Sequence, residues 1–181
     1  MKPTTLVLAA LLGLCSSFSA CGSSAPTRVA TDAGPATLGI HHFAAPAPGI
    51  FTAGQPNEAQ FDALGKAGVK HVINLRPASE GGTGWEEQHA ATAGVQFVRL
   101  PIAGADGLSR DNVDAFAKAL EATGGEPTLV SCGSSNRVGA LFALKAYWRD
   151  GKSKEEALAI GKAAGMTKLG AKVEELLAQP R

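Results

Sequence analysis

The sequence predicts an α/β fold in which a mostly parallel central sheet is flanked by helices. Short apolar stretches with the pattern of buried β-strands, such as KHVINLR, VQFVRLP and PTLVS, alternate with stretches whose apolar residues recur at helical spacing. This alternation is typical of parallel sheets, because the chain must cross a face of the sheet before each new parallel strand. Turn residues separate the stretches, so the order of the elements can be followed along the chain.

The first part of the predicted domain consists of a strand, a helix and a second strand. GIFTAGQP is a short strand pattern that ends at Gly54. The next stretch, NEAQFDALGKAG, has apolar residues at helical spacing, begins at Asn57 and ends at Gly68. KHVINLR then predicts a buried strand that ends before Pro77.

The middle of the domain supplies two further helices and two further strands. A Gly-rich loop, PASEGGTG, leads into the helical stretch WEEQHAATAG, and VQFVRLP is the next strand. After the loop IAGADGL, Ser109 has the position of an N-cap for the helix RDNVDAFAKALEATG. PTLVS is the strand that leads directly into Cys132.

Three helices are predicted to complete the chain, over 137–149, 153–164 and 167–179. The second begins with SKEE at Ser153, which is the sequence of a capping box. In open α/β sheets, ligands bind outside the carboxyl ends of the strands. Cys132 follows a strand at that edge, so we expect the functional site there.

The N-terminus predicts export. Residues 1–20 have the pattern of a signal peptide, with a positive charge at Lys2, the apolar run LVLAALLGL and small residues before Cys21. A cysteine in this position resembles the processing site of bacterial lipoproteins, in which the cysteine is lipidated and becomes the new N-terminus. Gly22 lacks the acidic side chain associated with inner-membrane retention, so this resemblance implies a periplasmic protein anchored in the outer membrane. Simple cleavage and release into the periplasm is the alternative.

A flexible tether is predicted over 21–48, because this segment is rich in Ala, Pro, Gly, Ser and Thr and has no apolar period. The globular domain is then expected over 49–181. The length of 181 residues is sufficient for one such domain with a leader. A formal net charge of +1, without a basic run, argues against nucleic-acid binding.

The cysteines single out one thiol. Cys15 leaves with the leader, and Cys21 lies at the terminus of the mature chain. Cys132 is then the only thiol of the folded domain, although exported proteins normally use cysteines in pairs. It is either a small buried hydrophobe or a reactive group.

The stretch LVSCGSSNRVGALFAL places Cys132 and Arg137 at a strand-to-helix turn. The small residues between them allow successive backbone N–H groups to form a bowl for an anion; these residues are Gly133, Ser134, Ser135 and Asn136. The following helix contributes the positive end of its dipole, and Arg137 offers a planar fork to two oxygens. The same field favours a thiolate, so the turn combines a nucleophile with an oxyanion site. A buried cysteine beside a capping arginine is the alternative.

GIFTAGQP, AGVKHVINLRP, VRLPIAG and the Cys–Arg loop together resemble the phosphatase-like domain of beta-lactamase hydrolase-like proteins. This family is related to the dual-specificity phosphatases of the protein tyrosine phosphatase-like superfamily, and the resemblance runs from about 49 to about 165. It implies a cysteine phosphatase-like fold, a phosphorylated protein or small molecule as substrate, and no metal or other cofactor. It also implies that Cys132 attacks phosphorus to give a cysteinyl-phosphate (thiophosphate) intermediate, while Arg137 and the loop amides hold the oxygens.

The resemblance further implies a carboxylic acid, on the loop before the third helix, that protonates the leaving group. Asp106, in PIAGADGLS, lies in the corresponding loop and is the predicted acid; a plain loop aspartate is the alternative. Asp111 and Asp114 have first-turn positions, where acidic side chains complement the helix dipole. Arg76 and Glu80 form either an ion pair near the Cys–Arg loop or a surface pair of little consequence.

Departures from the phosphatase pattern leave two other functions open. Four residues separate Cys132 from Arg137, which is one fewer than in tyrosine phosphatases and resembles the rhodanese sulfurtransferases. Ser131 replaces a common histidine, Ser135 a common glycine, and Val138 a residue whose hydroxyl helps to expel the thiolate. The second hypothesis is therefore a sulfurtransferase that uses a Cys132 persulfide, and the third is a lipoprotein that binds oxyanions without catalysis.

Overall fold

The computed structural model describes residues 34–180. The predicted signal peptide, Cys21 and the first part of the predicted tether lie outside this range. Within it, five strands form one sheet in the order β1-β2-β5-β3-β4. The strands are β1 (Ala44–Ala47), β2 (Ile50–Ala53), β3 (His71–Asn74), β4 (Gln96–Arg99) and β5 (Thr128–Ser131).

The sheet is parallel except at one edge. β5 lies between β2 and β3 and is parallel to both, and β4 is parallel to β3. The edge strand β1 is antiparallel to β2. The structure therefore confirms the predicted α/β fold class with a mostly parallel sheet.

Helices cover both faces of the sheet. The described helices are α1 (Glu58–Asp62), α2 (Glu86–Ala93), α3 (Arg110–Ala122), α4 (Asn136–Trp148), α5 (Lys154–Ala163) and α6 (Gly170–Leu177). One core contains Ile73 and Val130 together with apolar residues of α3 to α6. The other contains Val72 and Leu129 together with residues of α1 and α2. Since neighbours along a strand point to opposite faces, these alternating residues fill a core on each side.

The N-caps of three helices agree with those predicted from the sequence, whereas the lengths of two helices differ from the prediction. Asn57, Ser109 and Ser153 each accept a hydrogen bond from a backbone N–H of the first turn, as predicted. The first helix is shorter than its apolar pattern and is followed by turns over 63–68, where Gly65 approaches Ala93 so closely that a Cβ would lie 2.1 Å from the Ala93 carbonyl oxygen. The last helix begins late, at Gly170.

The predicted boundary between tether and domain at 49 is wrong, because residues 34–48 are part of the folded domain. Residues 35–38 form a short 3-10 helix, and the backbone of β1 pairs with β2. Ile40 is 3% exposed and belongs to the core that α1 and α2 cover. The side-chain amide of Gln60 donates to the carbonyl oxygens of Leu38 and Gly39 at 3.0 and 3.1 Å. Alanine and proline obscured this strand, because they lack the β-branched and aromatic signature of most strands.

No helix between residues 34 and 180 is both long and apolar enough to cross a membrane.

Candidate active site

The Cys–Arg loop begins at the carboxyl end of the central strand. Cys132 follows β5 directly and is 1% exposed. Its backbone N–H donates to the Ala53 carbonyl oxygen of β2 at 3.3 Å. Gly54 pairs with Ser134 across the loop, and a Cβ on Gly54 would lie 3.0 Å from the Gly133 carbonyl oxygen. A residue without a side chain is therefore required where β2 passes the loop.

The middle of the loop turns its side chains away from the bowl. Ser135 is buried, has a φ of 61° and donates from Oγ to the Ala164 carbonyl oxygen at 3.0 Å. Asn136 Oδ1 accepts from the backbone N–H groups of Thr167 and Leu169 at 2.8 and 3.2 Å. These contacts anchor the loop to the segment between α5 and α6, and they explain the late start of α6. Ser135 and Asn136 therefore offer the bowl their backbone N–H groups rather than their side chains.

This backbone has the form of an anion-binding nest. A left-handed residue, Ser135, precedes the right-handed first turn of α4, and that sequence of conformations directs consecutive N–H groups to one side. The N–H groups of a first helical turn have no partner within the helix. The 13-residue helix α4 adds the positive end of its dipole at the same point.

Arg137 is held along one edge of its guanidinium group. Its Nη1 donates to Glu80 Oε1 at 2.6 Å and to the Ile102 carbonyl oxygen at 2.8 Å. Its Nη2 donates to Glu80 Oε2 at 2.9 Å. A guanidinium has five N–H donors, and Glu80 and the Ile102 carbonyl oxygen take three of those of Arg137. The Cys132 side chain also interacts with Arg137. The Nε–H and the second Nη2–H form the edge that can bind two oxygens of a ligand held at Cys132.

The charges around Arg137 reinforce one another. The pKa of the Arg137 guanidinium is raised by its hydrogen bond to Glu80, while burial opposes this and the charge of Cys132 adds to it. The hydrogen bond from Arg137 lowers the pKa of Glu80 to about 2, against the opposing effect of burial and with help from Arg76. Arg76 Nε donates to Glu80 Oε2 at 2.9 Å. Of the two alternatives for Arg76 and Glu80, the structure shows the ion pair at the Cys–Arg loop.

A buried carboxylate that the sequence analysis missed lies behind this pair. Glu86, in the first turn of α2, is 0% exposed. Its Oε1 accepts from Thr83 Oγ1 at 2.6 Å, from Gln55 Nε2 at 2.7 Å and from Asn74 Nδ2 at 2.8 Å. Gln55 in turn accepts from Arg76 Nη1 at 3.2 Å. Through Gln55, Glu86 is thus connected with Arg76, which binds Glu80.

The second oxygen of Glu86 is also fully bonded. Oε2 accepts from the Gly84 N–H and from Arg99 Nη2, both at 2.8 Å. Arg99 also binds Glu87 and donates from Nη1 to the Arg76 carbonyl oxygen at 2.9 Å. Burial alone would raise the pKa of Glu86, but the hydrogen bonds from Thr83, Arg99 and the backbone lower it to about 2. Glu86 therefore stays ionised and fixes the loop that carries Glu80.

We expect the ionisation of Glu86 to make the protein acid-sensitive. A pKa lowered from 4.5 to about 2 contributes stability that is present above pH 4.5 and is lost as the pH falls towards 2. Glu86→Gln should therefore reduce the free energy of unfolding at neutral pH by the order of 3 kcal/mol and flatten its decline below pH 4.5. Urea unfolding at a series of pH values measures both effects, with the exposed Glu174→Gln as the control. An acid limb as steep in Glu86→Gln as in the parent protein would contradict this account.

Within the loop that was predicted to carry the acid, the Ile102 carbonyl oxygen contacts Arg137, whereas Asp106 does not. Asp106 is exposed in a turn between β4 and α3, four residues after the Ile102 carbonyl that binds Arg137. It makes no hydrogen bond or ion pair with another residue that the structure describes. Asp111 lies in the first turn of α3, as predicted, whereas Asp114 forms an ion pair with Arg149 at 2.8 Å.

The two replacements that flank the loop have different surroundings. Ser131 is 1% exposed, and its hydroxyl has no hydrogen-bond partner in the described part of the chain. Val138 is completely buried in the core that α3 to α6 share with the sheet. It provides no hydroxyl next to Arg137. Among residues 34–180, no group of three or more His, Cys, Asp or Glu side chains is placed to hold a metal ion.

Comparison with known families identifies the relatives of this domain. The family described as the phosphatase-like domain of beta-lactamase hydrolase-like proteins matches residues 26–148. The chain belongs to this family. The match includes the Cys–Arg loop and begins well before 49, in agreement with the ordered segment that contains β1. The resemblance seen in the sequence is therefore confirmed.

Curated relatives are considerably longer than this chain. A beta-lactamase hydrolase-like protein of Xylella fastidiosa is 32% identical over 116 residues, which are 62% of this chain and 26% of the relative. A protein of the same name from Agrobacterium fabrum is 33% identical over 97 residues, or 51% of this chain and 22% of the relative. The chain thus spans about a quarter of the length of the curated relatives it matches.

Solved structures share the fold. A candidate phosphatase (DUF442) from Shewanella putrefaciens is 28% identical with a TM-score of 0.62, over 77% of this chain and 93% of that chain. The P. aeruginosa protein TpbA, in complex with phosphotyrosine, is 19% identical with a TM-score of 0.59, over 77% of this chain and 84% of that one. The domain is therefore a phosphatase-like domain with the fold of the tyrosine phosphatase-like enzymes.

Proposed function

We propose that this protein is a cysteine-dependent phosphatase that hydrolyses a phosphomonoester. The observation that carries the proposal is the division of Arg137 into a held edge and a free edge. Glu80 and the Ile102 carbonyl fix the guanidinium, so its Nε–H and remaining Nη2–H can bind two phosphate oxygens without a change of rotamer. Such preorganised donors stabilise charge that develops in a transition state.

The proposed reaction has two steps on Cys132. The thiolate attacks phosphorus, the Sγ–P bond forms, and the bond from phosphorus to the ester oxygen breaks. Water then attacks the cysteinyl phosphate, which breaks the Sγ–P bond and releases inorganic phosphate and the thiolate. In both steps, Arg137 and the N–H groups of residues 133–137 bind the equatorial oxygens.

Asp106 is the proposed general acid, because the other carboxylates near the site are committed elsewhere. The pKa of Glu80 and that of Glu86 are both lowered to about 2, so neither carries a proton at neutral pH. Asp106 has no competing partner in the described part of the chain, and the Ile102 carbonyl holds its loop against Arg137. It would give its proton to the leaving oxygen in the first step and accept one from water in the second.

Asp106→Asn should therefore affect substrates according to their leaving group. We expect kcat/KM, which reports the first step alone, to fall by about a hundredfold for an alkyl phosphate, whose leaving group needs a proton. The loss for para-nitrophenyl phosphate should be much smaller, because nitrophenolate leaves without a proton. Asp111→Asn makes the same chemical change in the first turn of α3 and should leave both rates unchanged. An equal loss for both substrates in Asp106→Asn would rule out a role as the acid.

A sulfurtransferase is the second candidate, because two observations favour it. The loop has only four residues between Cys132 and Arg137, and the buried Val138 supplies no hydroxyl to help expel a thiolate from phosphorus. In that reaction the thiolate attacks the outer sulfur of a donor such as thiosulfate, takes it as a persulfide and releases sulfite. A nucleophile such as cyanide then removes the sulfur.

The mass of the modified cysteine distinguishes the candidates. Protein treated with an aryl phosphate and quenched in acid should carry one phosphoryl group on Cys132, whereas thiosulfate should leave the thiol unchanged. The addition of one sulfur atom by thiosulfate, with no phosphoryl group from the ester, would replace the phosphatase by the sulfurtransferase. Oxyanion binding without either adduct would leave the binding protein of the third hypothesis.

We propose further that the protein is an exported lipoprotein with its lipid on Cys21. The support comes from the sequence before residue 34, where small residues precede Cys21 after an apolar run. Cells given a radiolabelled fatty acid should incorporate label into the full-length protein and none into Cys21→Ser, which should accumulate as an unprocessed precursor. Label in both proteins would place the lipid elsewhere, and label in neither would favour release into the periplasm.

A further inference from the structure

An open cleft of about 580 Å³ lies between the start of α1 and the loop that precedes α2. Gln55, Pro56, Gly82 and Trp85 contribute to its walls, and Glu58 lines it as well. We infer that this cleft receives the group esterified to the phosphate, and that Glu58 selects neutral or cationic aromatic groups over anionic ones. The inference rests on the proposed function and specifies its substrate class.

The cleft is connected with the Cys–Arg loop through Gln55, which lines it. Gln55 follows Gly54, which pairs with Ser134 of the Cys–Arg loop. The Gln55 side chain also contacts Arg76, which binds the same Glu80 that holds Arg137. Gln55 in the wall of the cleft therefore directly follows the residue that pairs with the loop, a step of about 3.8 Å between neighbouring Cα atoms. A phosphate ester bound at Cys132 has this cleft as its neighbour.

The walls of the cleft are apolar in practice, because their polar side chains already have partners. Gln55 donates to Glu86 and accepts from Arg76, so its amide is not available to a ligand. The Asn57 side chain caps α1 by accepting from the Gln60 N–H at 2.8 Å. Since Pro56 is buried, the apolar surface that remains for a ligand is the half-buried indole of Trp85 and the exposed Ala59. An aromatic leaving group matches such a surface.

The indole of Trp85 is held in place by its neighbours. Phe61, which is buried, meets it edge to face with ring centroids 5.4 Å apart. His89 contacts it in a similar arrangement at 5.1 Å. A platform that is fixed before binding loses little conformational entropy when a ligand ring packs on it.

Glu58 is the charge at the cleft that no partner neutralises. Its side chain is exposed and makes no hydrogen bond or ion pair with another described residue. The acidic groups around it are paired: Glu86 with Arg99, Glu80 with Arg76 and Arg137, and Asp62 with His89 at 3.0 Å. A leaving group with negative charge would therefore meet an unopposed carboxylate, whereas a cationic one would be attracted to it.

The test measures how a charge reversal at Glu58 changes binding. Cys132→Ser protein, which retains Arg137 and the loop, is titrated with para-carboxyphenyl phosphate and with para-trimethylammoniophenyl phosphate. The titrations are then repeated with Glu58→Lys added. We expect Kd to fall by about three- to tenfold for the carboxyphenyl ester and to rise by a similar factor for the ammonium ester. Both changes should vanish near about 1 M salt, because the charges are exposed.

Glu174→Lys is the matched control, because it makes the same change of charge on the exposed face of α6. It should leave both Kd values unaltered, and melting temperatures should show that both variants are folded. Equal shifts for the two esters in Glu58→Lys, or none, would overturn the subsite. Turnover of the same esters by protein with Cys132 intact tests the proposed function separately. Charge-selective binding without turnover would leave the subsite in place and overturn the phosphatase, and failure of both esters to bind would overturn the subsite.

Discussion

Replacing Cys132 by serine should abolish the release of phosphate from para-nitrophenyl phosphate. We expect kcat to fall by about 10⁴-fold or more, because a serine hydroxyl is a much weaker nucleophile than a cysteine thiolate. The measurement uses the chain from residue 22 onwards, in which Cys132 is the only thiol. A chain that began at 49 would lack β1 and the buried Ile40, so it would test folding rather than catalysis.

Ser134→Ala is the matched control for this variant. Ser134 is exposed in the same loop, and the substitution keeps its backbone N–H and its pairing with Gly54. Turnover should therefore remain within about threefold of the parent protein, since small exposed changes rarely disturb a backbone site. Phosphate release that survives in Cys132→Ser would show that another group performs the chemistry. A large loss in Ser134→Ala would show that the hydroxyl contributes.

The parts of the site that could be predicted are those that lie close together in the sequence. Cys132 and Arg137 are joined by one short turn, and the strand before them and the helix after them fix its orientation. Their chemistry is visible because a thiol and a guanidinium are rare neighbours at a strand-to-helix turn. The same locality explains why the caps at Ser109 and Ser153 were predictable, as each uses a backbone N–H three residues away.

The buried carboxylate of Glu86 could not be found in this way. Glu86 and Glu87 are adjacent, of the same type and both in the first turn of α2, yet only Glu86 is fully buried. The difference arises because the residues that follow β2 and end β3 and β4 converge on Glu86. The register between neighbouring strands decides which side chains meet at Glu86, and this register cannot be read from a single sequence. Asn74 was the one indication in the sequence, because it is a polar residue at the end of a buried strand.

The segment 34–48 illustrates a different limit. Its alanines and prolines resemble those of a linker, but Pro46 and Pro48 lie on an edge strand and just beyond it, where a missing N–H costs no ladder hydrogen bond. Ile40 and Phe43 were the apolar residues that indicated a packed segment. Two apolar residues among many small ones show neither strand nor helix periodicity, so the composition led to the prediction of a tether.

Arg137→Lys should reduce kcat/KM for para-nitrophenyl phosphate by about a thousandfold. Lysine keeps the charge but has no planar fork, so it cannot bind Glu80 with two nitrogens and two phosphate oxygens at the same time. The affinity for inorganic tungstate, an oxyanion that resembles phosphate, should fall with it. Unchanged tungstate binding in Arg137→Lys would show that charge alone, rather than the geometry of the guanidinium, holds the ligand.

Glu80→Gln tests whether Glu80 acts through Arg137. The amide keeps one acceptor for the guanidinium and presents an NH₂ group where the second acceptor was, so Arg137 should lose its fixed orientation. We expect kcat/KM to fall by about ten- to a hundredfold in the parent protein and by less than about threefold when Arg137→Lys is already present, because residues that act as a unit are not additive. Arg99→Gln, which removes a partner of Glu86 farther along the same chain of contacts, should show the same non-additivity with Arg137→Lys. Additive losses in the pair of Glu80 and Arg137 would mean that Glu80 acts independently of Arg137 and does not serve to hold the guanidinium.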